Sequence, residues 1–395
     1  MPHEIGISCI LYLVSCIINI GYWSIEIMDN DLVPPGLTYL ADNIVTRQNI
    51  LGVSKEQGAR WAHHLNLPSQ ADTIFFAGCG YQFSAQLEVL MSLARGIDKS
   101  VIGAELPMRF ARFQKKLGLN LPAIYSNVIS YSNSLYSNVI SYSNTLYHST
   151  PLTRGKNKPR DAEPEIKPLE VKPLEAAVKV LRNLGIQPGY LGKDEPCCGA
   201  TLYNAGLHTK FAENAHHTYK TLKEAGVKRI IGVVPYCTHA LQKLFPLFIK
   251  GYDLEVRHFL DIVAEKISLY KLRYPRQVRV TYHDPCQMVR YLNLIEEPRR
   301  ILRAIEGVTL VEPEWTRGEW ATCCGGGGGF ETVFPELSEV LAVNRVTELL
   351  ETKPDIIVTH CPGCIMQLKD GLRKLKVEGV EVLDLSEVVA TAMEL

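Results

Sequence analysis

The sequence predicts an α/β fold of two similar lobes, each a parallel sheet flanked by helices and each built around one copy of a duplicated Cys-Cys-Gly segment. Three observations predict it. Short Val/Ile-rich runs alternate with stretches of helical periodicity, the pattern of parallel strands covered on both faces. Cysteines recur twice in one order: a lone Cys, then Cys-Cys-Gly, then a Cys close to the end of a strand-like run. Finally, 395 residues with 46% hydrophobic content suffice for real cores and, at roughly 150 residues per domain, for two or three domains.

Along the chain, residues 1–27 contain an uncharged run of eighteen residues, 6–23. Three readings stand open: a membrane anchor, a signal peptide, or a translated upstream stretch with Met28 as the true start. The preceding MPHEI offers no Lys or Arg to support either of the first two, so Cys9 and Cys16 carry no weight. Residues 28–71 read as a helical N-terminal extension, with Leu40, Ile44, Ile50, Trp61 and Leu65 spaced among polar residues after Pro34-Pro35.

Residues 73–77 are an apolar run entering Gly78-Cys79-Gly80, a buried strand that ends in a turn. They open a first lobe, 72–272. An insertion of about residues 120–173 interrupts it, comprising the tandem repeat of 125–135 in 136–146 and a stretch rich in Pro, Lys and Glu at 151–173. One extra copy is too short for a solenoid, and the composition is that of a linker. Helices are expected at 174–184, 205–225, 238–250, 257–272, 298–305, 336–351 and 364–376, and strands at 188–192, 229–234, 278–283, 308–312, 355–360 and 380–384. A second lobe then spans 273–395.

Charge and cysteine usage narrow the chemistry. Lys plus Arg and Asp plus Glu both number 42, so the basic excess expected of a nucleic-acid binder is missing. Eleven cysteines, two pairs of them adjacent, do not suit a disulfide framework, which is a device of small secreted chains. Metal or redox chemistry in a reducing, cytoplasmic compartment is expected, with membrane association left open through a complex or through residues 6–23.

The second half holds the complete constellation. Cys286 follows VRVTYH in His283-Asp284-Pro285-Cys286, 36 residues separate it from Cys323-Cys324-Gly325, and 36 more precede Cys361-Pro362-Gly363-Cys364. In the first half Cys79, Cys197-Cys198-Gly199 and Cys237 follow the same order, but the position matching Cys364 is Ala240. The first interval is 118 positions against 37, an excess that contains the insertion. Thiolates at the ends of adjacent parallel strands converge on one sheet edge, and such soft donors suit iron–sulfur or zinc. Side chains of neighbouring cysteines diverge and fit different irons of one cluster better than a single zinc ion. Gly325 and Gly326 open a run of five glycines, which would let backbone amides approach sulfide or substrate.

These residues resemble the cysteine-rich CCG-domain family, whose pattern residues 278–364 match in full. The two-copy arrangement over about 72–395 is similar to the catalytic B subunit of heterodisulfide reductase and the matching part of its D subunit, and also to the iron–sulfur subunits of glycolate and lactate oxidation systems. The resemblance implies a noncubane [4Fe–4S] cluster held by Cys286, Cys323, Cys324, Cys361 and Cys364, with those cysteines at the catalytic centre. For Cys79, Cys197, Cys198 and Cys237 a four-ligand cluster, a cluster with His239 recruited, a zinc ion and no metal all stay open.

Three functional readings follow. The leading one is a heterodisulfide reductase-like oxidoreductase subunit that reduces a disulfide or oxidises thiols, with a small disulfide or thiol as substrate and a flavin subunit and a ferredoxin-like iron–sulfur subunit as partners. No ferredoxin-type cysteine run occurs in this sequence, so electrons are expected from those partners. The alternative is an iron–sulfur electron-transfer subunit of a glycolate/lactate-type 2-hydroxyacid dehydrogenase system, and the third a zinc-stabilised scaffold. His283, His360 and His239 are read as hydrogen-bonding neighbours of the cysteines, Asp284 as a cap on the turn at Pro285, and His216-His217 as solvent-facing.

Overall fold

A computed structural model describes residues 34–84 and 172–394. Residues 1–27 with Cys9 and Cys16, the tandem repeat and nearly all of the linker lie outside the described residues.

The described chain opens with α1 (Pro35–Arg47), then β1 (Thr73–Phe76) running into the short α2 (Gly78–Gln82). The first lobe continues with α3 (Lys172–Asn183), α4 (His208–Glu224), β2 (Arg229–Gly232), α5 (Pro235–His239), β3 (Glu255–His258) and α6 (Phe259–Lys266). The second comprises β4 (Leu272–Tyr282), α7 (Cys286–Tyr291), α8 (Glu296–Arg303), β5 (Ile305–Leu310), α9 (Pro335–Leu350), β6 (Ile356–Thr359), α10 (Pro362–Leu375), β7 (Glu381–Asp384) and α11 (Leu385–Ala392).

Both sheets are wholly parallel, as the Val/Ile runs require: one in the order β1-β2-β3, the other β5-β4-β6-β7. Burial on both faces explains the lack of alternation, since all four residues of β6 are buried. The lobes superpose in plan, with β1, β2 and β3 matching β4, β6 and β7. The counterpart of β5 has shrunk to one bridge, where Gly189 flanks β1 by accepting from Phe75 N at 2.8 Å and donating to Thr73 O at 2.9 Å. The strand expected at 188–192 fails because Pro188 donates no hydrogen bond and Gly189 is pressed so close that a Cβ would lie 2.7 Å from Pro68 O.

Other elements depart from expectation: the helix expected over 238–250 is broken at a π turn, Ala240–Leu244, and α7 was not expected. The helix expected over 257–272 begins instead with β3, and residues from Leu272 belong to β4; four residues are too few for alternation to register against a following helix. Helix α11 follows β7 without a loop, started by a capping box in which Asp384 accepts from Ser386 N while Glu387 accepts from Asp384 N. Its Leu385, Val388 and Val389 are fully buried, each contributing roughly 2 kcal/mol.

The lobes are joined by exchange. Helix α11 of the second packs along α3 of the first, and α6 of the first packs against α8 of the second. Buried side chains from both therefore form one continuous core. Helix α1 spans the two cysteine regions: Leu37 and Leu40 press on Gly329, and Gln48 accepts from Cys197 N at 3.1 Å.

Candidate metal centre

Every lone cysteine sits where a parallel strand ends. Cys79 follows β1 in α2, Cys237 follows β2 in α5, Cys286 opens α7 after β4, and Cys361 caps α10 after β6 with Cys364 one turn in. Proline recurs at these exits: Pro235 and Pro362 occupy first-turn positions and Pro285 is the N-cap, each using its fixed φ to turn a strand into a helix. In the second sheet the connections leave β4 for β5 on one side and β6 for β7 on the other. Cys286 and Cys361 thus flank the crevice where strand order reverses, the usual place for a ligand in open α/β sheets.

The structure brings both cysteine sets together. In the second lobe Cys286 contacts Cys323, Cys323 its neighbour Cys324, and Cys364 both Cys324 and Cys361; the Cys324 and Cys364 sulfurs are 3.2 Å apart. In the first lobe the contacts run Cys79, Cys197, Cys198, Cys237, ending in a Sγ–Sγ distance of 3.2 Å. All nine are free, and 3.2 Å is far beyond the roughly 2.05 Å of a disulfide. Cys323 is exposed, and Cys79, Cys286 and Cys361 are half-buried, while the other five are buried.

So many sulfurs cannot all ionise in one buried place. Hydrogen bonds donated to neighbouring sulfurs, then burial, push the Cys286 and Cys364 thiols well up, whereas Cys323 is pushed well down by accepting from Cys286 and Cys324. Holding the whole set as thiolates takes a multiply charged soft cation, so the donor chemistry fits the group inferred from the sequence.

The glycines have stated reasons. Gly325 adopts φ +83° with its Cβ position 2.4 Å from Ser338 O, and its N–H donates to Cys323 Sγ at 3.3 Å. A Cβ on Gly326 would lie 2.7 Å from Gln367 Cγ. Gly78 at φ +66° lies against Cys237, where a Cβ would come within 2.8 Å of the sulfur. Tyr236 of the first lobe leans over the glycine run, with Oη 3.0 Å from the Cβ position of Gly328.

Several polar readings need correction. His239 does not turn to the first-lobe sulfurs: its ring packs on Tyr291 at 4.6 Å and lies beside Gln287. Two residues along a helix is about 200° of rotation, so Cys237 and His239 face opposite ways. Asp284 does not cap the Pro285 turn. It accepts a bidentate pair from Arg299 at 2.9 and 2.8 Å and a third bond from Gly318 N at 2.8 Å. His216 and His217 are exposed, as expected. His360 Nδ1 donates to Asp384 Oδ1, 2.8 Å away, and Asp384 also accepts from Tyr81.

Sequence reasoning missed Arg345, Glu195, Tyr81 and Asp384. Arg345 is fully buried in α9 and donates to His283 Nδ1 at 2.9 Å. Glu195, pushed up to about 8 by burial, accepts from Ala77 N and Gly78 N at 2.9 Å each and fixes the loop before Cys79. Only Asp384 left a readable signal, the Asp-x-x-Glu of its capping box.

Comparison with known proteins agrees with this layout. A family model described as a cysteine-rich domain, CCG, matches residues 166–242 and 280–369. The D subunit of the dihydromethanophenazine:CoB–CoM heterodisulfide reductase from Methanosarcina barkeri is 34% identical over 226 residues, 56% of this chain and 55% of that one. The EtfAB:quinone oxidoreductase of Syntrophomonas wolfei is 34% identical over 230 residues, covering 56% and 32%. The B subunit of the fumarate reductase (CoM/CoB) of Methanothermobacter marburgensis is 31% identical over 217 residues, covering 55% and 42%. The chain thus spans about half the length, or less, of the curated relatives it matches. Among the described residues no helix is long and apolar enough to cross a membrane. Two segments of the chain, one in each lobe, are thus similar to the CCG cysteine-rich domain.

Proposed function

We propose that this chain is an iron–sulfur oxidoreductase subunit of the heterodisulfide reductase type, in which Cys286, Cys323, Cys324, Cys361 and Cys364 hold a noncubane [4Fe–4S] cluster. The observation that carries the reading is the contact chain of five free sulfurs at the reversal point of the second sheet, with one member, Cys323, exposed. Relatives named as subunits of a heterodisulfide reductase and of a fumarate reductase support it. A cluster bound there would supply single electrons and a soft iron site for sulfur.

The residues of the chain provide the setting. The Gly325 amide faces Cys323, Tyr236 and the glycine run wall the opening, and buried His283 and His360 line the strand ends. A small disulfide would approach from the exposed Cys323 side, its two sulfurs taking one electron and one proton each to leave as thiols. The electrons come from a flavin subunit and a ferredoxin-like subunit. In the first lobe the sulfurs contact one another in succession, and the three candidate donors that lie mutually within 4.8 Å among the described residues, His283, Cys324 and Cys364, include none of them. A tetrahedral zinc site needs four sulfurs mutually about 3.8 Å apart, given zinc–sulfur bonds of about 2.3 Å. The four first-lobe sulfurs do not meet that spacing as a set, which favours a second multi-iron group over a lone zinc.

Anaerobic purification of the full chain, with iron, sulfide and zinc analysis and electron paramagnetic resonance, tests the proposal. Iron and acid-labile sulfide in equal amounts are expected, with thiol release from a low-molecular-weight disulfide when a low-potential donor is supplied. Zinc without iron overturns it.

A further inference from the structure

We propose that Arg345 fixes the ring proton of His283 on Nε2, making His283 a hydrogen-bond donor to the sulfurs of Cys324 and Cys364 rather than a nitrogen ligand. The second half of this statement rests on the cluster reading above; the first does not. Guanidinium nitrogens only donate, so Nδ1 of His283, which lies 2.9 Å from Arg345 Nε, must present its lone pair. In a neutral imidazole the proton then resides on Nε2.

Both partners are held rigidly. Arg345 Nη1 donates to Thr316 O at 2.9 Å, Glu348 Oε2 at 2.8 Å and Thr322 Oγ1 at 3.2 Å, so the guanidinium also ties down the loop that leads into Cys323. His283 is fastened to β6 through its own backbone, donating to Val358 O at 2.8 Å and accepting from Thr359 Oγ1 at 3.0 Å. Turning the imidazole over would break its bond to Arg345 and leave a buried guanidinium N–H without that acceptor.

What remains is Nε2, which is buried without a hydrogen-bond partner among the described residues. A ring nitrogen of His283 lies within 4.8 Å of both Cys324 Sγ and Cys364 Sγ. With Nδ1 taken by Arg345, the nitrogen left to face the sulfurs is Nε2. Binding a metal through Nε2 would require moving its proton to Nδ1, where it would point at an Arg345 N–H. A donor aimed at thiolate sulfur withdraws electron density and raises the reduction potential of the group those thiolates hold. Arg345 is a positioning residue acting through His283.

Two readouts separate this inference from the cluster reading. In the metal-free full chain, ¹⁵N-histidine NMR should show His283 as the Nε2–H tautomer; an Nδ1–H tautomer overturns the inference whether or not the protein ever binds iron. In the iron-loaded protein, His283→Leu should keep its full iron and sulfide content while its midpoint potential falls, by about tenfold in the reduction equilibrium or about 59 mV for one electron. His283→Gln, which retains a donor, should stay close to wild type, and Arg345→Lys should fall between wild type and Arg345→Met. Loss of iron in His283→Leu would make the histidine a ligand and overturn the proposal, as would an unmoved potential at full iron content. A wild-type chain that takes up no iron refutes the cluster reading instead, and the tautomer still decides the role of Arg345.

Discussion

The two lobes share one plan and differ at almost every polar position around it. Where the second has His283-Asp284-Pro285-Cys286, the first has Phe76-Ala77-Gly78-Cys79; where the second has His360 before Cys361, the first has Tyr236 before Cys237; and where the second has Cys364, the first has Ala240. Phe76, Ala77 and Ala240 are fully buried. A duplicated backbone therefore delivers two sets of sulfurs to matching strand ends, yet only the second set is ringed by donors and open to solvent at one sulfur. The same fold can hold a relay in one lobe and chemistry in the other, because function resides in the site grafted on the scaffold.

The missing sulfur is the sharpest difference, and exchanging it should have the largest effect. Cys364→Ala is expected to abolish the paramagnetic signal of the second lobe and lower iron per chain, because Cys364 links Cys324 to Cys361. Ala240→Cys in the first lobe should do the reverse, completing a five-sulfur set and raising iron and sulfide per chain. Cys364→Ala with unchanged iron and spectrum would show that the second-lobe ligands have been misassigned.

The polar ring of the second lobe should also carry a stability cost when broken. Arg299 and Asp284 form a bidentate pair with side chains 3% and 0% exposed, and Glu312 contacts the same guanidinium at 2.7 Å. Removing one partner leaves a buried charge uncompensated, so Arg299→Met should cost about 3–5 kcal/mol. The first lobe, with Ala77 at the matching position, has no such liability. Urea denaturation of the full chain measures the difference, and a loss under about 1 kcal/mol would mean the pair relaxes by admitting water.

Glycine gives the next contrast. Gly325 and Gly199 follow the two cysteine pairs with similar backbones, φ +83° and +71°. A Cβ at Gly325 meets the backbone oxygen Ser338 O at 2.4 Å, whereas at Gly199 it meets the Asn214 side-chain amide at 2.5 Å. Backbone inside α9 cannot retreat and a side chain can, so Gly325→Ala should be the more damaging, by about 1–2 kcal/mol beyond the strain of roughly 1 kcal/mol common to both. Thermal denaturation of the two variants side by side checks the order.

Much of this was legible in the residues alone. The parallel strands announced themselves through Val/Ile runs too apolar for a half-exposed sheet, and the cysteine order exposed the duplication because thiols are rare enough that a repeated spacing stands out. The edges of the elements were harder: β3 is four residues long and merges into α6, and Pro188-Gly189 reduces a strand to one bridge. Tertiary partners were beyond reach. Nothing near Arg345 marks it as the arginine that points inward, since long-range partners such as His283, 62 positions away, leave no periodic trace. His239 misled for a related reason, because nearness in sequence to Cys237 says nothing of which side of the helix a ring occupies.

The smallest expected effect concerns the seam between lobes. Tyr81, two residues after Cys79, donates across the seam to Asp384, which also meets His360 beside Cys361; its counterpart in the second lobe is Met288, which has no hydroxyl to donate. Tyr81→Phe removes one bond to a charged acceptor but does not orphan it, since Asp384 keeps His360 at 2.8 Å, Ser386 N at 2.8 Å and Ser386 Oγ at 2.6 Å. The loss should be about 1.5 kcal/mol, the low end for hydrogen bonds to charged groups. A loss of about 3 kcal/mol or more in urea denaturation would mean that Asp384 cannot stay buried without the phenol, and that the hydrogen bond at the seam, more than the exchanged helices, holds the two lobes together.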